Sequence, residues 1–364
     1  MIATPKAPTL ANIDKLPPTN YGAYNDDPSK VGVGPLELRD DIPMPKPGPG
    51  QVLVNFHYSG LCHSDIEIFY NSWPDFFPPN ETQGHEGTGY VAQVGEGVKD
   101  LKVGDKVGQK FIAEVCHKCE QCKAGWETYC HDRYHSATSR PGTFQRYAVA
   151  DASYVAKIPD AVELADAAPI LCAGVTVYKA IKHSGVKPGE WLALVGAAGG
   201  LGHIGTQVCK ALGIRCIGVD GGAEREAFVR ELGAEEFVDF TKHSNPEDIA
   251  AEVVKKTGGG AHGVVVVAGH ASGYVPATKM LRLRGTLVAV GLPPADQGCK
   301  IVTDPFELVL RGIKITGSNV GTKVDMEEIL QLVAEGKVKP RLKVVNISEL
   351  PELVKKYRHG GMTT

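Results

Sequence analysis

The 364-residue sequence predicts an α/β protein of two domains, one built on a doubly wound parallel sheet and the other rich in β-strands. Two observations predict this fold class. From about residue 175 onward, strand patterns alternate with helical patterns. Residues 30 to about 150 instead hold short β-like runs between turns rich in glycine and proline. A chain of this length also exceeds one ordinary core, so two domains are expected.

The β-rich half is recognised by alternating apolar runs with turn signals between them. Turns such as Pro47-Gly48-Pro49-Gly50 and Gly104-Asp105 bound these runs, which is typical of an antiparallel domain. The predicted strands are Gln51–His57, Gly89–Val94 and Phe144–Val149.

The second half repeats a strand and a helix. Trp191–Val195 is a short apolar strand, Gly202–Leu212 a helix with apolar residues every four positions, and Arg215–Val219 the next strand. Repeated βα units imply a parallel sheet with helices on both faces. The later predicted helix and strand pairs are Arg225–Leu232 with Glu236–Phe240, Pro246–Lys256 with Gly263–Ala268, and Val275–Arg282 with Gly285–Val290. A further helix, Met326–Glu335, and the strand-like Leu342–Val345 need not belong to this sheet.

Composition and charge exclude several classes of protein. The chain is 43% hydrophobic and 22% charged, with a formal net charge of −3. These values are typical of a globular protein and give no sign of nucleic-acid or anionic-membrane binding. No apolar run reaches the length of a membrane span, and the N-terminus lacks the apolar core of a signal peptide. We therefore expect a cytoplasmic protein.

A glycine-rich loop follows the strand Trp191–Val195 and opens the next helix. Its glycines permit a tight turn and close approach of a pyrophosphate, whose charge the helix N-terminus stabilises. Asp220 ends the following strand, where a carboxylate can accept both hydroxyls of an adenosine ribose and would repel a 2′-phosphate. The loop thus predicts a Rossmann-type domain that binds NAD rather than NADP, although Arg225 could hold a 2′-phosphate. The cofactor-binding residues predicted here are Gly196, Gly199, Gly200, Leu201, Gly202, Asp220 and Val290.

Four cysteines lie within fifteen residues, with the spacing Cys116-x2-Cys119-x2-Cys122-x7-Cys130. Thiolates at such spacings can wrap one tetrahedral Zn²⁺, and four protein ligands leave no position for a substrate. The pattern therefore predicts a structural zinc site. A redox or disulfide cluster is the alternative reading, but nine cysteines are an odd number, and reduced thiols fit a cytosolic protein.

A second metal site is suggested by Cys62, His85 and Cys172. Two thiolates and one imidazole can hold Zn²⁺ with a fourth position open for water or alcohol. Spacing alone does not select these three residues, because His63 is also available and 87 residues separate His85 from Cys172. Taken singly, each is more often a buried thiol or a packed histidine than a metal ligand.

Five motifs together resemble the zinc-dependent medium-chain alcohol dehydrogenases, and the yeast and fungal branch most closely. The resemblance covers roughly residues 35 to 355 and implies a GroES-like catalytic domain beside the Rossmann-type domain. It also implies that Cys62, His85 and Cys172 bind a catalytic zinc. The motifs, in the family's order, are GLCHSD, GHEGTG, the four-cysteine loop, APILCAGVTVYKA and GAAGGLG.

The resemblance assigns roles to further residues. Glu86 corresponds to an acidic residue beside the metal that can assist ligand exchange as a transient ligand, and Asp65 to a carboxylate that orients His85. Ser64 corresponds to the hydroxyl that takes the alcohol proton. The resemblance also places His63 at the cofactor pyrophosphate, Thr176 beside the nicotinamide, Arg225 at the adenosine ribose, and Trp73 and Phe111 in the substrate pocket. Phe111 replaces an expected tryptophan, which suggests a roomier pocket.

The chain departs from the family pattern in two places. The proton relay of many relatives continues to a histidine where this chain has Glu67, a residue that holds a proton poorly at neutral pH. Family members usually end in a Gly-Arg-x-Val strand whose arginine contacts the cofactor phosphates. Here residues 359–364 read His-Gly-Gly-Met-Thr-Thr.

The sequence thus predicts an enzyme that contains two Zn²⁺ ions and transfers hydride between a primary alcohol or aldehyde and NAD(H). The alternatives are a polyol or special-metabolite dehydrogenase on the same scaffold, and a non-catalytic cofactor-binding homologue. A homo-oligomer is expected, with a tetramer favoured over a dimer. The predicted segments are an N-terminal extension 1–34, a catalytic domain 35–174 with the zinc loop 116–130, an NAD-binding domain 175–315, and a segment 316–364 that returns toward the catalytic domain.

Overall fold

The structure is a computed structural model. It describes all residues except 4–15, 26–35, 74–76, 78–79, 302 and 359–364. The chain end that lacks the expected arginine and strand lies outside the described residues. Contacts divide the chain into two units. The first holds Met1–Cys172, Thr322–Ala334 and the segment from Leu342 onward, and the second holds chiefly Ala173–Gly321 and Glu335–Arg341.

Seventeen strands are found in the described part of the chain. They are β1 Ile2–Ala3, β2 Thr19–Tyr24, β3 Glu37–Pro43, β4 Gln51–Ser59, β5 Gly87–Val94, β6 Lys106–Gln109, β7 Ile112–Glu114, β8 Tyr134–His135, β9 Tyr147–Asp151, β10 Ala156–Lys157, β11 Trp191–Val195, β12 Arg215–Asp220, β13 Glu236–Asp239, β14 Ala261–Val266, β15 Leu281–Ala289, β16 Lys314–Gly317 and β17 Val345–Asn346.

Ten α-helices accompany these strands in the described residues, and the turn Ile170–Gly174 between the third and fourth is π-helical. They are α1 His63–Phe69, α2 Glu120–Lys123, α3 Leu164–Pro169, α4 Val175–Ser184, α5 Gly200–Ala211, α6 Ala223–Leu232, α7 Pro246–Thr257, α8 Pro305–Arg311, α9 Lys323–Ala334 and α10 Leu350–Tyr357. Short 3₁₀ helices lie at Glu127–Tyr129, Phe240–Lys242, Ala271–Tyr274, Ala295–Gln297 and Ile347–Glu349.

The first unit is built around a seven-stranded sheet in which β4 is central. The order is β10-β6-β5-β4-β1-β17, and β9 pairs with β4 as well. Val52, Val54 and Phe56 of β4 are fully buried together with Val91 of β5 and Val107 of β6. Alternate residues of an antiparallel strand face the same side, so one face of this sheet forms the core. The predicted N-terminal extension contributes β1 to this sheet and β2 to a hairpin with β3.

The second unit contains the predicted doubly wound sheet. Its six strands have the order β13-β12-β11-β14-β15-β16, and every pair is parallel. All five residues of β11 are buried, which explains why it reads as an unbroken apolar run rather than an alternating one. The order reverses direction beside β11, so the loop that follows this strand lies at the switch point where such sheets bind ligands.

The predicted helix Val275–Arg282 is wrong. The chain makes one turn after Pro276, with hydrogen bonds from the Lys279 and Met280 amides to the Pro276 carbonyl. It then enters β15 at Leu281. Ala277, Met280 and Leu281 are buried. Their burial produced the apolar spacing that resembled a helix, and periodicity over so short a window does not distinguish the two outcomes.

One helical stretch, Leu164–Ser184, has the length and mean hydropathy, 1.4, of a membrane span. Of its apolar window, 78% is buried inside the protein. Core helices of globular proteins share this character, because a helix that is apolar on all sides is normally buried. The stretch escapes a search for unbroken apolar runs because polar residues interrupt it.

Candidate active site

The pairing of β4 with β5 brings two predicted ligands together. Ser59, the last residue of β4, lies opposite Gly87, the first residue of β5. Cys62 follows the end of β4 by three residues, and His85 precedes the start of β5 by two. In an antiparallel pair, the end of one strand and the start of its partner lie at the same end of the pair. The 23-residue separation in sequence therefore becomes a short distance in space.

Asp65 orients both of these residues with one buried carboxylate. Its Oδ2 accepts a hydrogen bond from the Cys62 backbone amide at 2.9 Å, and its Oδ1 lies 2.7 Å from His85 Nδ1. This contact directs Nε2 of the His85 ring away from Asp65. Burial raises the pKa of Asp65, and the charge of His85 opposes that rise. The carboxylate thus fixes the tautomer and direction of the ring, as expected for a histidine that binds a metal.

Cys172 and Glu86 complete the group. The ligand atoms of Cys62, His85, Glu86 and Cys172 all lie within 4.8 Å of one another. Gly60 makes room for Glu86, since a Cβ at that position would overlap the Glu86 carboxylate. The structure therefore brings together the three residues predicted for the catalytic metal and the acidic residue predicted beside it.

Burial and mutual charge strongly perturb the ionisation of this cluster. Contact with the Cys172 thiol and the charge of His85 lower the pKa of Cys62 well below its usual value, although burial opposes this. Burial and the negative charge of Cys62 raise the pKa of Glu86 well above its usual value. Buried charges of this kind are costly unless they are paired or bind a metal.

The donor set fits Zn²⁺. Two thiolates, one imidazole and a nearby carboxylate are the ligand types that zinc prefers, with three protein ligands and one further position at catalytic sites. The His85 ring is fully enclosed, and its Nε2 has no hydrogen-bond partner among the residues that the structure describes. A metal bond would satisfy this nitrogen, so the residues present fit the ion.

His63 and Glu67 form a pair on α1, one turn apart. His63 Nε2 lies 2.8 Å from Glu67 Oε1. The hydrogen bond to Glu67 raises the pKa of His63, although burial lowers it. Burial raises the pKa of Glu67, but the bonds to His63 and Ser72 outweigh it and leave a lowered value. Ser64 is the second residue of α1 and is half-buried.

Aromatic rings pack against the metal-binding cluster. The ring of Phe111 lies edge-on to that of His85, with 5.3 Å between centroids. Phe77 lies between Phe111, at 5.4 Å, and Trp73, at 6.1 Å. His135 stacks on Phe111 at 4.8 Å, and burial and the charge of Arg133 lower its pKa to about 4. Sequence reasoning named Trp73 and Phe111 but missed the other two rings.

The four clustered cysteines converge as well. Their sulfur atoms lie within 4.8 Å of one another, and all nine cysteines, each in the described part of the chain, are free. The backbone amide of Cys119 donates to Cys116 Sγ at 3.3 Å, and that of Cys116 donates to Cys130 Sγ at 3.4 Å. Amide donors stabilise thiolates, so this donor set also fits one tetrahedral Zn²⁺. The disulfide reading of the cluster is therefore wrong for this structure.

The second unit holds the predicted nucleotide loop. Gly196 has φ of 89°, which only glycine adopts without strain, and a Cβ on Gly202 would overlap the backbone of Gly196 and Ala197. Helix α5 begins directly after Gly199, and no side chain caps it. Gly200 and Leu201 form its first turn. The loop therefore exposes backbone donors to a phosphate, in the manner expected of a dinucleotide site.

Asp220 is fixed by three donors at the end of β12. Its carboxylate accepts from the backbone amides of Ala198 at 2.9 Å and Gly221 at 2.8 Å, and from Arg225 Nη1 at 2.6 Å. Arg225 thus lies beside Asp220, as the sequence suggested. Val290 follows β15, and its amide donates to the Val266 carbonyl at 3.2 Å. Thr176, on α4, has a buried hydroxyl with no hydrogen-bond partner in the structure.

Comparison with protein families adds independent information. Residues 48–160 match a family described as the alcohol dehydrogenase GroES-like domain, and residues 200–335 match one described as zinc-binding dehydrogenase. The chain is 42% identical over 333 residues to Alcohol dehydrogenase 1 of Emericella nidulans, which covers 91% of this chain and 93% of that protein. These matches confirm the fold class predicted from the sequence.

Solved structures with this fold include two related dehydrogenases. An acetophenone reductase from Geotrichum candidum in complex with NAD has a TM-score of 0.80 at 28% identity, covering 96% of this chain and 97% of that chain. An alcohol dehydrogenase from Aeropyrum pernix has a TM-score of 0.81 at 26% identity, covering 92% and 96%.

The fold and the donor clusters together define a zinc-binding dehydrogenase. The chain belongs to the zinc-dependent medium-chain alcohol dehydrogenase family, in its fungal branch. It is an alcohol oxidoreductase of the zinc-containing type.

The role of Asp65 can be tested with Asp65→Asn in the zinc-loaded protein. We expect the affinity for zinc at the cluster of Cys62, His85 and Cys172 to fall about 10–100-fold, because the orienting partner of the His85 ring has been altered. Competition with a chromogenic chelator measures this, and the zinc held by the four clustered cysteines serves as the internal control. Unchanged affinity for both ions would contradict the role.

Proposed function

We propose that this enzyme oxidises primary alcohols to aldehydes with NAD, and catalyses the reverse reaction, at the cluster of Cys62, His85 and Cys172. The observation that carries the proposal is the convergence of these donors around the unsatisfied, buried Nε2 of His85. Small-molecule alcohols and aldehydes are accordingly its substrates. The Emericella relative is an alcohol dehydrogenase, which supports the same chemistry.

Zinc bound at this cluster would supply a Lewis acid that lowers the pKa of an alcohol and polarises an aldehyde carbonyl. The chain's own residues would do the rest. Ser64 accepts the proton of the alcohol hydroxyl. Phe111, against His85, excludes water and positions the carbon chain of the substrate. Asp65 keeps the His85 ring in one orientation throughout, and Glu86 is placed to act as a transient ligand during exchange.

The proton continues from Ser64 toward solvent through Glu67 and then His63, because the His63 side chain is 38% exposed and that of Glu67 only 7%. The 2.8 Å contact between the last two side chains supports this path, since a proton can cross a hydrogen bond of that length. In this arrangement Glu67 takes the place of the histidine that many relatives carry. His63, which the resemblance assigned to the cofactor pyrophosphate, would then serve the relay as well.

A second zinc would lie at Cys116, Cys119, Cys122 and Cys130 and serve the fold. Four protein ligands close the coordination shell, so no substrate can bind there. Two ions per chain are therefore proposed, one for the reaction and one for the structure.

The proposed cofactor is NAD, held by the loop from Gly196 to Gly202. Asp220 supports this choice, because a fixed carboxylate accepts hydrogen bonds from ribose hydroxyls and repels a 2′-phosphate. The contact between Arg225 and Asp220 supports the same choice, since a paired guanidinium is less free to hold a phosphate. Thr176 and Val290 are proposed to lie beside the nicotinamide part of the cofactor.

A homo-oligomer is proposed, with a tetramer favoured. Strand β16 is at the edge of the parallel sheet, and all four of its residues are exposed. Phe306, Val309 and Leu310 of α8 are also exposed, at 69%, 78% and 66%. Open strand edges and apolar side chains of this size are usually covered by a partner chain.

We also propose the domain boundaries and the cellular location of the enzyme. We assign residues 35–174 to a catalytic domain and 175–315 to the cofactor domain, with 316–364 returning toward the former. The contact-based division supports this, because α9 and α10 belong to the unit that holds the metal clusters. The enzyme is proposed to act in the cytoplasm, where thiols remain reduced.

The function is tested with the purified, zinc-loaded protein on a panel of ethanol, butanol, benzyl alcohol and a polyol, in both directions, with NAD and NADP. We expect turnover of primary alcohols with NAD, and a comparable or higher kcat/KM for butanol and benzyl alcohol than for ethanol, because Phe111 is smaller than tryptophan. Ethanol preferred by orders of magnitude would refute the roomier pocket. Turnover of the polyol alone would favour a polyol or special-metabolite dehydrogenase. Binding of zinc and cofactor without turnover would indicate a non-catalytic homologue.

The two metal roles are separated by Cys62→Ala and Cys119→Ala. The first should abolish turnover with the fold retained, while the second should lower the melting temperature more than the intrinsic turnover of the protein that stays folded. Turnover and differential scanning fluorimetry, with zinc counted for each variant, give the comparison. Equal effects of the two substitutions on both quantities would show that the roles are not distinct.

The relay is tested by Glu67→His. The pKa of Glu67 is held below its usual value, so its carboxylate stays ionised across the neutral range, whereas histidine becomes protonated near pH 6.5. The acid limb of the rate of alcohol oxidation should therefore move up toward about pH 6.5. Glu67→Gln, which cannot titrate, is the matched control and should lose that limb. An unchanged pH profile in both variants excludes Glu67 from the relay.

A further inference from the structure

A cavity of about 470 Å³ lies within the first unit, which also holds both metal-binding clusters. Its rim is exposed and carries charges of both signs, from Asp100, Lys157, Lys323 and Glu327. Its floor is buried and consists of apolar side chains and one lysine. The floor residues are Lys110, Val155, Ala156 and Met326. Cavities of this size are typical of small-molecule sites.

Lys110 is an unusual residue for such a floor. It is 4% exposed, and its Nζ lies 3.4 Å from the centroid of the Tyr154 ring. This cation–π contact uses one side of the ammonium, but the group makes no hydrogen bond and no ion pair in the part of the chain that the structure describes. An ammonium has three donors, so at least two remain unmatched.

The nearby carboxylates compensate the charge of Lys110 only in part. Glu127 is close enough to act on Lys110 electrostatically, but its Oε1 accepts instead from the backbone amide of Lys323 at 2.7 Å. Glu327 is exposed on the rim. Burial, with the charge of Lys323 added, lowers the pKa of Lys110 to about 7 against the opposing effect of these two carboxylates. A buried ammonium without a partner costs free energy that an anion in the cavity would recover.

The lining also limits which anion fits. Three lysines and two carboxylates line the cavity, and Glu127 acts on Lys110 from beside it, so the charges nearly balance; such a site favours a monoanion over a polyphosphate. Val155, Ala156 and Met326 offer apolar surface directly beside the ammonium. A ligand that places a carboxylate on Lys110 and a hydrocarbon part on these side chains would satisfy both features.

We propose that this cavity binds a small organic monocarboxylate, whose carboxylate accepts hydrogen bonds from Lys110 and whose apolar part contacts the floor. The site is separate in its residues from the metal-binding cluster, and nothing in the proposed reaction uses it. Lys110 and Phe111 are adjacent in the chain, yet Phe111 packs on His85 and Lys110 on Tyr154.

Isothermal titration of the zinc-loaded protein with benzoate, acetate and inorganic phosphate tests the proposal. We expect benzoate to bind more tightly than acetate, because its ring contacts the floor, and phosphate to bind most weakly. Lys110→Met removes a charge-assisted hydrogen bond, so the affinity for benzoate should fall about tenfold or more. Lys157→Met removes a rim lysine and should change the affinity about threefold or less, as for an exposed charge.

Lys110→Met should fold, because it replaces a buried charge with an apolar side chain of similar length. Should it not, site-resolved mass spectrometry of wild-type protein treated with acetic anhydride gives a second measurement. Benzoate should slow the acylation of Lys110 and leave that of Lys157 nearly unchanged. Absence of benzoate binding to the wild-type protein, equal affinity in Lys110→Met, or preference for phosphate over benzoate would each overturn the proposal.

Discussion

The antiparallel register of β4 with β5 is the constraint on which the rest of the site depends. It sets Ser59 opposite Gly87, so the residues that follow β4 and those that precede β5 lie at the same end of this strand pair. Close packing protects this register. A Cβ on Gly87 would meet the side chain of Thr143 at 2.6 Å, and one on Gly89 would overlap the backbone of Asn55. A slip by one residue would turn every side chain of the strand to the opposite face and separate the ligands.

At this end of the strand pair, ionisable side chains are packed together in a way that would be unfavourable without a cation. Asp65, His85 and Glu86 are all buried, and the Cys62 thiol has a pKa well below its usual value. Several groups that prefer to be charged therefore share a poorly solvated space, which costs free energy unless an ion of opposite sign is present. The same groups that weaken the metal-free fold give the bound ion its affinity. Metal binding to the cluster therefore also stabilises the folded protein.

Much of this could be predicted from the sequence, because the decisive residues lie at the ends of strands. The bounds predicted for β11 agree with the structure, and the loop after it has the expected strand and helix around it. Spacing could not select Cys172, which lies 87 residues beyond His85, and only the family resemblance did. Phe77 and His135 were missed because their positions depend on packing between segments distant in sequence, which no local pattern records. The helix predicted at Val275–Arg282 failed for a related reason, since buried apolar residues in a turn can imitate helical spacing.

The uneven exposure of the two cysteine clusters has a consequence for the enzyme's lifetime. Cys116, Cys119 and Cys122 are only partly covered, whereas Cys172 and His85 are buried. The sulfur atoms of Cys116 and Cys130 lie 3.5 Å apart. An oxidant in the surrounding solution could join neighbouring thiols of this segment, which would release the zinc ion that we propose it holds. Oxidative ageing would then begin with a loss of local structure while the reacting groups were still intact, and thiol reductants together with zinc could reverse it.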